Sequence, residues 1–518
     1  MSGFWKKNLI ALVTAIAVIG CSIAAFAQKP AVTPIPKVAG PVPVTADSYP
    51  FISANRTQAP VDLAKIGYGE EEFFVSGTAN VYHWPAPGQL TVKTLNAPYT
   101  TRILVRRPAD PARFSGNVMV ETLNFSRNYD WSFVWGIMHP YVTEHRDAWV
   151  GMTTMPENIA FLKKFNPVRY AALSFKNPNP TEKCGPKNET SDSEEGLRWD
   201  AMSQVGALLK SKDPSNPLAK YNVQYVYMTS HGSEVMAYAN AVHNHVSLAN
   251  GKAVYDGYLN DIEENPGRIN RCDAPGRDVP EGDPRQVVRN VNVPVIRVIA
   301  HGDLKHINTV KNRREDSDAP GDRYRLYEVA AAPHMEGTYY RHLPVVEDQV
   351  KGGAEPGVAV WPLPYSCNPS ISFLDFPILR YVLDGAYANL DRWARTGTPP
   401  PKAERMVVTV PPGAKEAIVE VDEFGNGKGG VRTPYVDVPI ATYLPNTPGP
   451  GVCGNLARAV PFDWARLEQL YGSPKAYVEK ISAAVDKLVK DRWITESDGK
   501  KMKEELSAPL SAPKEVLQ

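Results

Sequence analysis

Ser230, Asp303 and His334 stand in the chain in the order hydroxyl, carboxyl, imidazole. Together such groups can carry out acyl transfer. The imidazole takes the serine proton as the oxygen attacks a carbonyl, and the carboxylate holds the ring in the tautomer able to accept it. A serine does this best at a sharp turn between a buried strand and a helix, where its hydroxyl projects from the sheet and the following N–H lies at a helix N-terminus. The stretch around Thr229, Ser230, His231 and Gly232 has that character, because the apolar period changes from strand-like (Val223, Tyr225, Val226, Tyr227) to helical (Val235, Tyr238, Ala239, Val242) across it. An ordinary helix N-cap is the other reading of Ser230. Such a turn needs small residues two places either side of the serine; Gly232 meets this requirement and Met228 does not.

The acid and base each follow a strand-like run, Val295–Ile299 before Asp303 and Arg325–Val329 before His334. Asp256, Asp316 and Asp318 compete for the acid role, the first too early in the chain and the other two in a charged loop. The oxyanion that forms during acyl transfer needs backbone donors. The N–H of His231 is one candidate, and Asn124 and Phe125, which follow the strand-like Asn117–Asn124, supply others. The loop from Phe125 to Trp135 carries Tyr129, Trp131 and Trp135, expected to line an apolar substrate pocket. His243 and His245 are two apart and so point to different sides of a helix, and His301, Asp303 and His306 lack a second cluster. No metal and no cofactor is therefore expected. The glycines at 425, 427, 429 and 430 lack the strand-to-helix setting of a dinucleotide site and read as a hairpin.

The elements that must position these groups read as an α/β chain. Strand-like runs occur at Glu72–Val75, Leu90–Thr94, Thr101–Arg106, Asn117–Asn124, Ala148–Thr153 and Lys252–Leu259. Ser191 and Glu194 form a capping-box pattern before a helix carrying Leu197, Ala201, Val205 and Leu208 on one face. Phe376–Trp393 is a long amphipathic helix stopped by Gly397 and Pro399; Met406–Leu444 looks β-rich; Tyr477–Leu488 is helical, and residues past Ser507 form a loose tail. The expected organisation is a signal peptide over 1–27, a flexible lead-in over 28–48, one domain over 49–505 and a tail over 506–518. Cap insertions fall near 155–195 and 260–290, and a C-terminal extension begins at about 402.

The 518 residues carry 57 Lys plus Arg against 56 Asp plus Glu, so no basic footprint for nucleic acid exists. A small, roughly neutral substrate fits this balance best. Lys6 and Lys7 precede an apolar run from Leu9 to Ile19, and Ala25, Phe26 and Ala27 supply a cleavage site before Gln28. Secretion or a periplasmic location follows, with lipid anchoring at Cys21 as the rival reading and no integral membrane span. Cys184, Cys272, Cys367 and Cys453 remain after cleavage, enough for two disulfides in any of three pairings. Oligomeric state is left open.

From about Gly116 to Asp498 the chain resembles a bacterial family of exported α/β-hydrolase-domain proteins, serine esterases of the α/β-hydrolase superfamily. The resemblance rests on Val120–Asn124, Ser230-His231, Val254–Leu259, Tyr324–Val329 followed by His334, Ala441–Pro445 and Pro461-Phe462. It implies a mostly parallel central sheet flanked by helices, a serine nucleophile at Ser230, a base at His334 and an acid matched by Asp303. The family has glycine where Met228 stands, a Ser-Gln-Ser-Gly-like elbow where this chain has Ser230-His231-Gly232-Ser233, and an acid where His301 stands. Carboxylic-ester hydrolysis through an acyl-enzyme is the implied activity. An amidase or lactonase would use the same residues, and a catalytically inactive binding protein is the alternative in another class.

Overall fold

The computed structural model describes residues 32–184, 188–261, 268–273, 282–337, 341–357, 360, 363, 367 and 377–511. The signal peptide, Cys21 and the last seven residues of the expected tail lie outside them. One ten-stranded sheet organises the chain: β1 (Lys37–Ala39), β2 (Tyr68–His83), β3 (Thr91–Pro108), β4 (Asn117–Thr122), β5 (Ala148–Met152), β6 (Tyr225–His231), β7 (Gly257–Asp261), β8 (Val295–Ala300), β9 (Ser317–Ala319) and β10 (Asp322–Val329). Their spatial order is β1-β2-β3-β5-β4-β6-β7-β8-β10-β9. The six strands from β5 to β10 in that order are parallel, and β1, β2, β3 and β9 add antiparallel edges.

Composition follows position in the sheet. Every residue of β4, β5, β7 and β8 is buried, as expected of strands covered on both faces. In the long β2–β3 ribbon, β2 mixes buried with half-buried residues, and β3 starts exposed and becomes continuously buried only over Thr101–Arg106, so only its apolar fragments stand out in the sequence. Helices cross between parallel strands: α1 (Phe133–Glu144) links β4 to β5, while α2 (Pro156–Phe165) and α3 (Arg198–Lys210) lie between β5 and β6. After β6 comes α4 (Glu234–Ala237), then a π-helical turn over Tyr238–Val242 and α5 (His243–Asn250). The expected Ser191–Glu194 capping box is not formed; Ser191 bonds to Ser193, and Glu194 caps a short 3-10 turn at the N–H of Gly196. A buried helix spans Ile378–Thr396.

The segment expected to be β-rich, Met406–Leu444, contains two-residue strands at Val408–Thr409 and Ile418–Val419 and a longer one only at Ala441–Leu444. Gly429 and Gly430 adopt positive φ there. A Cβ at either would lie 2.3–2.4 Å from the carbonyl oxygen of Arg405 or Glu328, so the segment packs backbone to backbone against β10. The last helix continues to Ser511, past the point at which a loose tail was expected. Disulfides join Cys184 to Cys272 and Cys367 to Cys453. The first ties together the two irregular segments read as cap insertions. Among the described residues no helix is long and apolar enough to cross a membrane.

Candidate active site

Because β4, β6, β8 and β10 run parallel, the loops that follow them meet along one edge of the sheet, where open α/β sheets place ligands. The loop after β8 is a 3-10 turn from His301 to Lys305, and it delivers Asp303. The loop after β10 runs Ala330, Ala331, Ala332, Pro333 to His334, with Ala331 at φ 64°. Gly302 lets the two loops close: its N–H donates to the Ala332 carbonyl at 3.0 Å, and a Cβ there would stand 3.1 Å from the His334 nitrogen. His334 Nδ1 is then 2.7 Å from Asp303 Oδ1, with the carboxylate buried and the imidazole about one-third exposed. This is the orientation a carboxylate gives a general base, with Nε2 turned away from the acid.

His301 has another task. Its Nδ1 accepts the Ala331 N–H at 3.3 Å, and burial lowers its pKa to about 4, so the ring is neutral near pH 7. It braces the His334 loop.

Ser230 is not on the turn. β6 continues through it to His231, because β7 goes on pairing, Ser230 with Asn260 and His231 with Asp261. Ser230 is 0% exposed. Its hydroxyl lies 3.0 Å from the Gly232 carbonyl and 3.2 Å from Asn260 Oδ1 as donor, and it accepts the Val235 N–H at 3.4 Å. The sharp turn falls at Gly232, at φ 149°, and the helix begins immediately after with Ser233 as its N-cap, half-buried. The small residue two places before the turn is therefore Ser230 itself, and Met228 sits inside the strand, where its size is no obstacle.

His231, expected to contribute its backbone N–H, also brings its side chain to the site. Nδ1 is 2.9 Å from Asp261 Oδ2, both groups are buried, and the ring stacks on Phe133 with centroids 4.0 Å apart. The rings of His231 and His334 are 5.5 Å apart, edge to face. Asn124 reaches the same place, its Nδ2 donating to the His231 carbonyl at 2.6 Å. Its backbone N–H is committed to the Trp131 carbonyl at 2.9 Å and so is not presented to an oxyanion. Phe125, half-buried, accepts the Asn128 N–H through its carbonyl.

The aromatic loop divides. Tyr129 borders a cleft of about 590 Å³ with Arg127, Phe161, Lys164 and others, and neither Ser230 nor His334 lines that cleft. Trp131 packs on Phe133 with centroids 3.9 Å apart, one ring removed from His231. Trp135 lies in the first turn of α1, fully buried, with Trp149 and the Arg106 guanidinium against it, so it belongs to the core and not to a pocket.

Two buried acids that sequence reasoning passed over hold this loop. Glu121, in β4, accepts the N–H groups of Val134 and Trp135 and the indole N–H of Trp149, capping α1 from beneath; burial pushes its carboxyl up to about 7 against these donors. Asp130 accepts from Arg102, Thr153 and Asn158. Their partners are remote in sequence, and no local pattern could have revealed them. Among the described residues no group of three or more His, Cys, Asp or Glu side chains is arranged to hold a metal ion.

A family model described as an alpha/beta hydrolase domain matches residues 38–504. Comparison with curated proteins gives no match. Among solved structures, a fungal esterase of Rhizomucor miehei is similar at 8% identity and TM-score 0.25, over 44% of this chain and 70% of that one. The esterase of Pyrobaculum calidifontis is similar at 10% identity and TM-score 0.27, over 54% and 83%. The esterase Est22 is similar at 12% identity and TM-score 0.28, over 57% and 82%. At that level neither substrate nor site residues transfer from those enzymes.

Proposed function

The chain belongs to the alpha/beta hydrolase domain family, and from that premise we propose that it hydrolyses small carboxylic esters, with His334 as general base oriented by Asp303. The observation that carries this reading is the 2.7 Å contact between His334 Nδ1 and Asp303 Oδ1 at the strand ends. Ser230 is the proposed nucleophile, and its acyl-enzyme would be released by water activated by the same imidazole. For Ser230 to attack, its hydroxyl must leave the Gly232 carbonyl and Asn260 and turn toward the loops. Ser233, next to the turn, is the other hydroxyl of the segment. An amide or lactone would be cleaved by the same groups, so the acyl partner is a matter for a substrate panel.

We place the protein outside the cytoplasm. The two disulfides fit an oxidising compartment, and the N-terminal sequence has the pattern of an export signal.

A second reading, a binding protein without turnover, is favoured by one observation: the residue on the turn is Gly232, which has no hydroxyl. Labelling with a fluorophosphonate, followed by peptide mapping of the wild type and of Ser230→Ala, Ser233→Ala and His334→Ala, separates the readings. The hydrolase reading expects labelling at Ser230 that both Ser230→Ala and His334→Ala abolish. Labelling that persists in Ser230→Ala removes that serine, and a folded wild type that neither labels nor turns over an ester favours the binding protein.

A further inference from the structure

His334 is not the only imidazole held by a carboxylate at this edge of the sheet. His231 ends β6 and Asp261 ends β7, paired across the ladder, so the strand register itself sets Nδ1 2.9 Å from Oδ2. Both side chains are at least 95% buried, and stacking on Phe133 fixes the plane of the ring. The His334 ring stands 5.5 Å away at 63°. Two imidazoles, each held at Nδ1 by its own acid, therefore border the turn at Gly232. Packing alone would be satisfied by an apolar ring on Phe133, and would not call for a buried carboxylate behind it.

We propose that His231, held by Asp261, is the proton donor to the departing alcohol, opposite His334 as the base. This rests on the hydrolase reading above and divides between two rings the work that one histidine does in a simple triad. In the step, His334 takes the proton of the attacking O–H as the new C–O bond forms. The ester C–O bond then breaks, its electron pair leaves with the alcohol oxygen, and that oxygen takes the Nε2 proton of the His231 imidazolium. His334 ends protonated and His231 neutral, and transfer between the neighbouring rings restores the starting state. With Asp261 on Nδ1, the Nε2 side of the charged ring is the one that donates. The charged and titratable groups facing His231 among the described residues include Asp261 from β7 and His334 with Asp303 from the loops after β10 and β8. Beyond Asp261 is Glu336, whose carboxyl burial pushes up to about 8, with Asp261 adding to the rise.

A proton donor to the leaving group matters only for alcohols that cannot depart as anions. The test compares an ethyl ester with the p-nitrophenyl ester of the same acid, in the full-length wild type, His231→Gln and Asp261→Asn, with thermal unfolding as the control for folding. His231→Gln is expected to lower kcat/KM for the ethyl ester by about 10²-fold or more, as for loss of a general acid, and to change the p-nitrophenyl ester by no more than about threefold. Asp261→Asn should show the same selectivity with a smaller loss. Equal losses on both esters in these folded variants, or no loss on either, overturns the role of His231 while leaving the hydrolase reading in place. A wild type that hydrolyses neither ester overturns the hydrolase reading, and this role with it.

Discussion

The side-chain amide of Asn124 donates to the carbonyl of His231 across 2.6 Å, fastening the loop after β4 to the last residue of β6. Its Oδ1 accepts the Ser126 N–H at 2.9 Å, so the one residue shapes both its own loop and the neighbouring strand end. Asn124→Ala should free the His231 carbonyl and lower kcat/KM about tenfold, the worth of one hydrogen bond of about 1.4 kcal/mol. Asn124→Asp should be worse, because a carboxylate would face that carbonyl oxygen. Ester hydrolysis by the two folded variants checks the order; equal activities would mean that this contact does not position the site.

The turn at Gly232 leads to a second expectation. A Cβ there would lie 3.0 Å from Glu234 Oε2 and 3.7 Å from Asn124 Nδ2, both ends of side chains that can give, and φ 149° is a strained setting for any L residue. Gly232→Ser should therefore fold with a loss of about 1–3 kcal/mol and place a hydroxyl at the strand-to-helix turn. Fluorophosphonate labelling should then appear at position 232, persist when Ser230→Ala is added, and vanish when His334→Ala is added. A folded Gly232→Ser variant that does not label there would show that His334 does not serve the turn.

The parts of the fold legible in the sequence were those whose signal is local. β4, β8 and β10 are buried along almost their whole length; β4 and β8 read as largely apolar runs and β10 as apolar residues interleaved with charged ones, and Asp303 and His334 stood out because they follow β8 and β10. The position of the turn did not read correctly. Ser230 and His231 are polar and looked like its start, but pairing with Asn260 and Asp261 carries the strand two residues further, a fact belonging to β7. Trp135 looked like a pocket residue because it lies near a loop; Glu121, in β4 before that loop, draws it into a helix by binding its N–H. Glu121, Asp130 and Arg102 act through partners 13 or more residues away, on helices and on other strands, beyond the reach of any local pattern.

Arg102 is fully buried between Glu72, at 2.7 Å, and Asp130, at 2.8 Å, and Arg169 also bonds to Glu72 at 2.6 Å. Asp130 is the end of this network that carries the aromatic loop. Asp130→Ala would leave Arg102 with one counter-ion and strip Asn158 and Thr153 of their acceptor. Removing one partner of a buried ion pair costs about 3–5 kcal/mol. Urea unfolding should show that loss, and the fluorescence of the loop tryptophans should change in the folded variant. A loss below about 1 kcal/mol would mean that the loop is held by its packing alone.

Asp147, in the turn before β5, is fully buried, and burial pushes its carboxyl up to about 8 despite the 2.6 Å hydrogen bond from Ser115 Oγ; Asp391 adds to the rise. A carboxyl raised in the folded state holds its proton more tightly there than in the unfolded chain. Its stabilising effect is thus complete below its ordinary value near 4 and is lost as pH rises through about 8, at about 1.4 kcal/mol per pH unit inside that window. Glu121 and Glu336, raised to about 7 and about 8, act with the same sign. Asp147→Asn replaces the protonated acid by a neutral group of similar shape and removes its share of the slope. Urea unfolding at pH 5, 6, 7 and 8 should show the variant gaining on the wild type as pH rises. Parallel curves would mean that Asp147 is already ionised in the folded protein, its charge met by Arg395, the cation that acts to lower it.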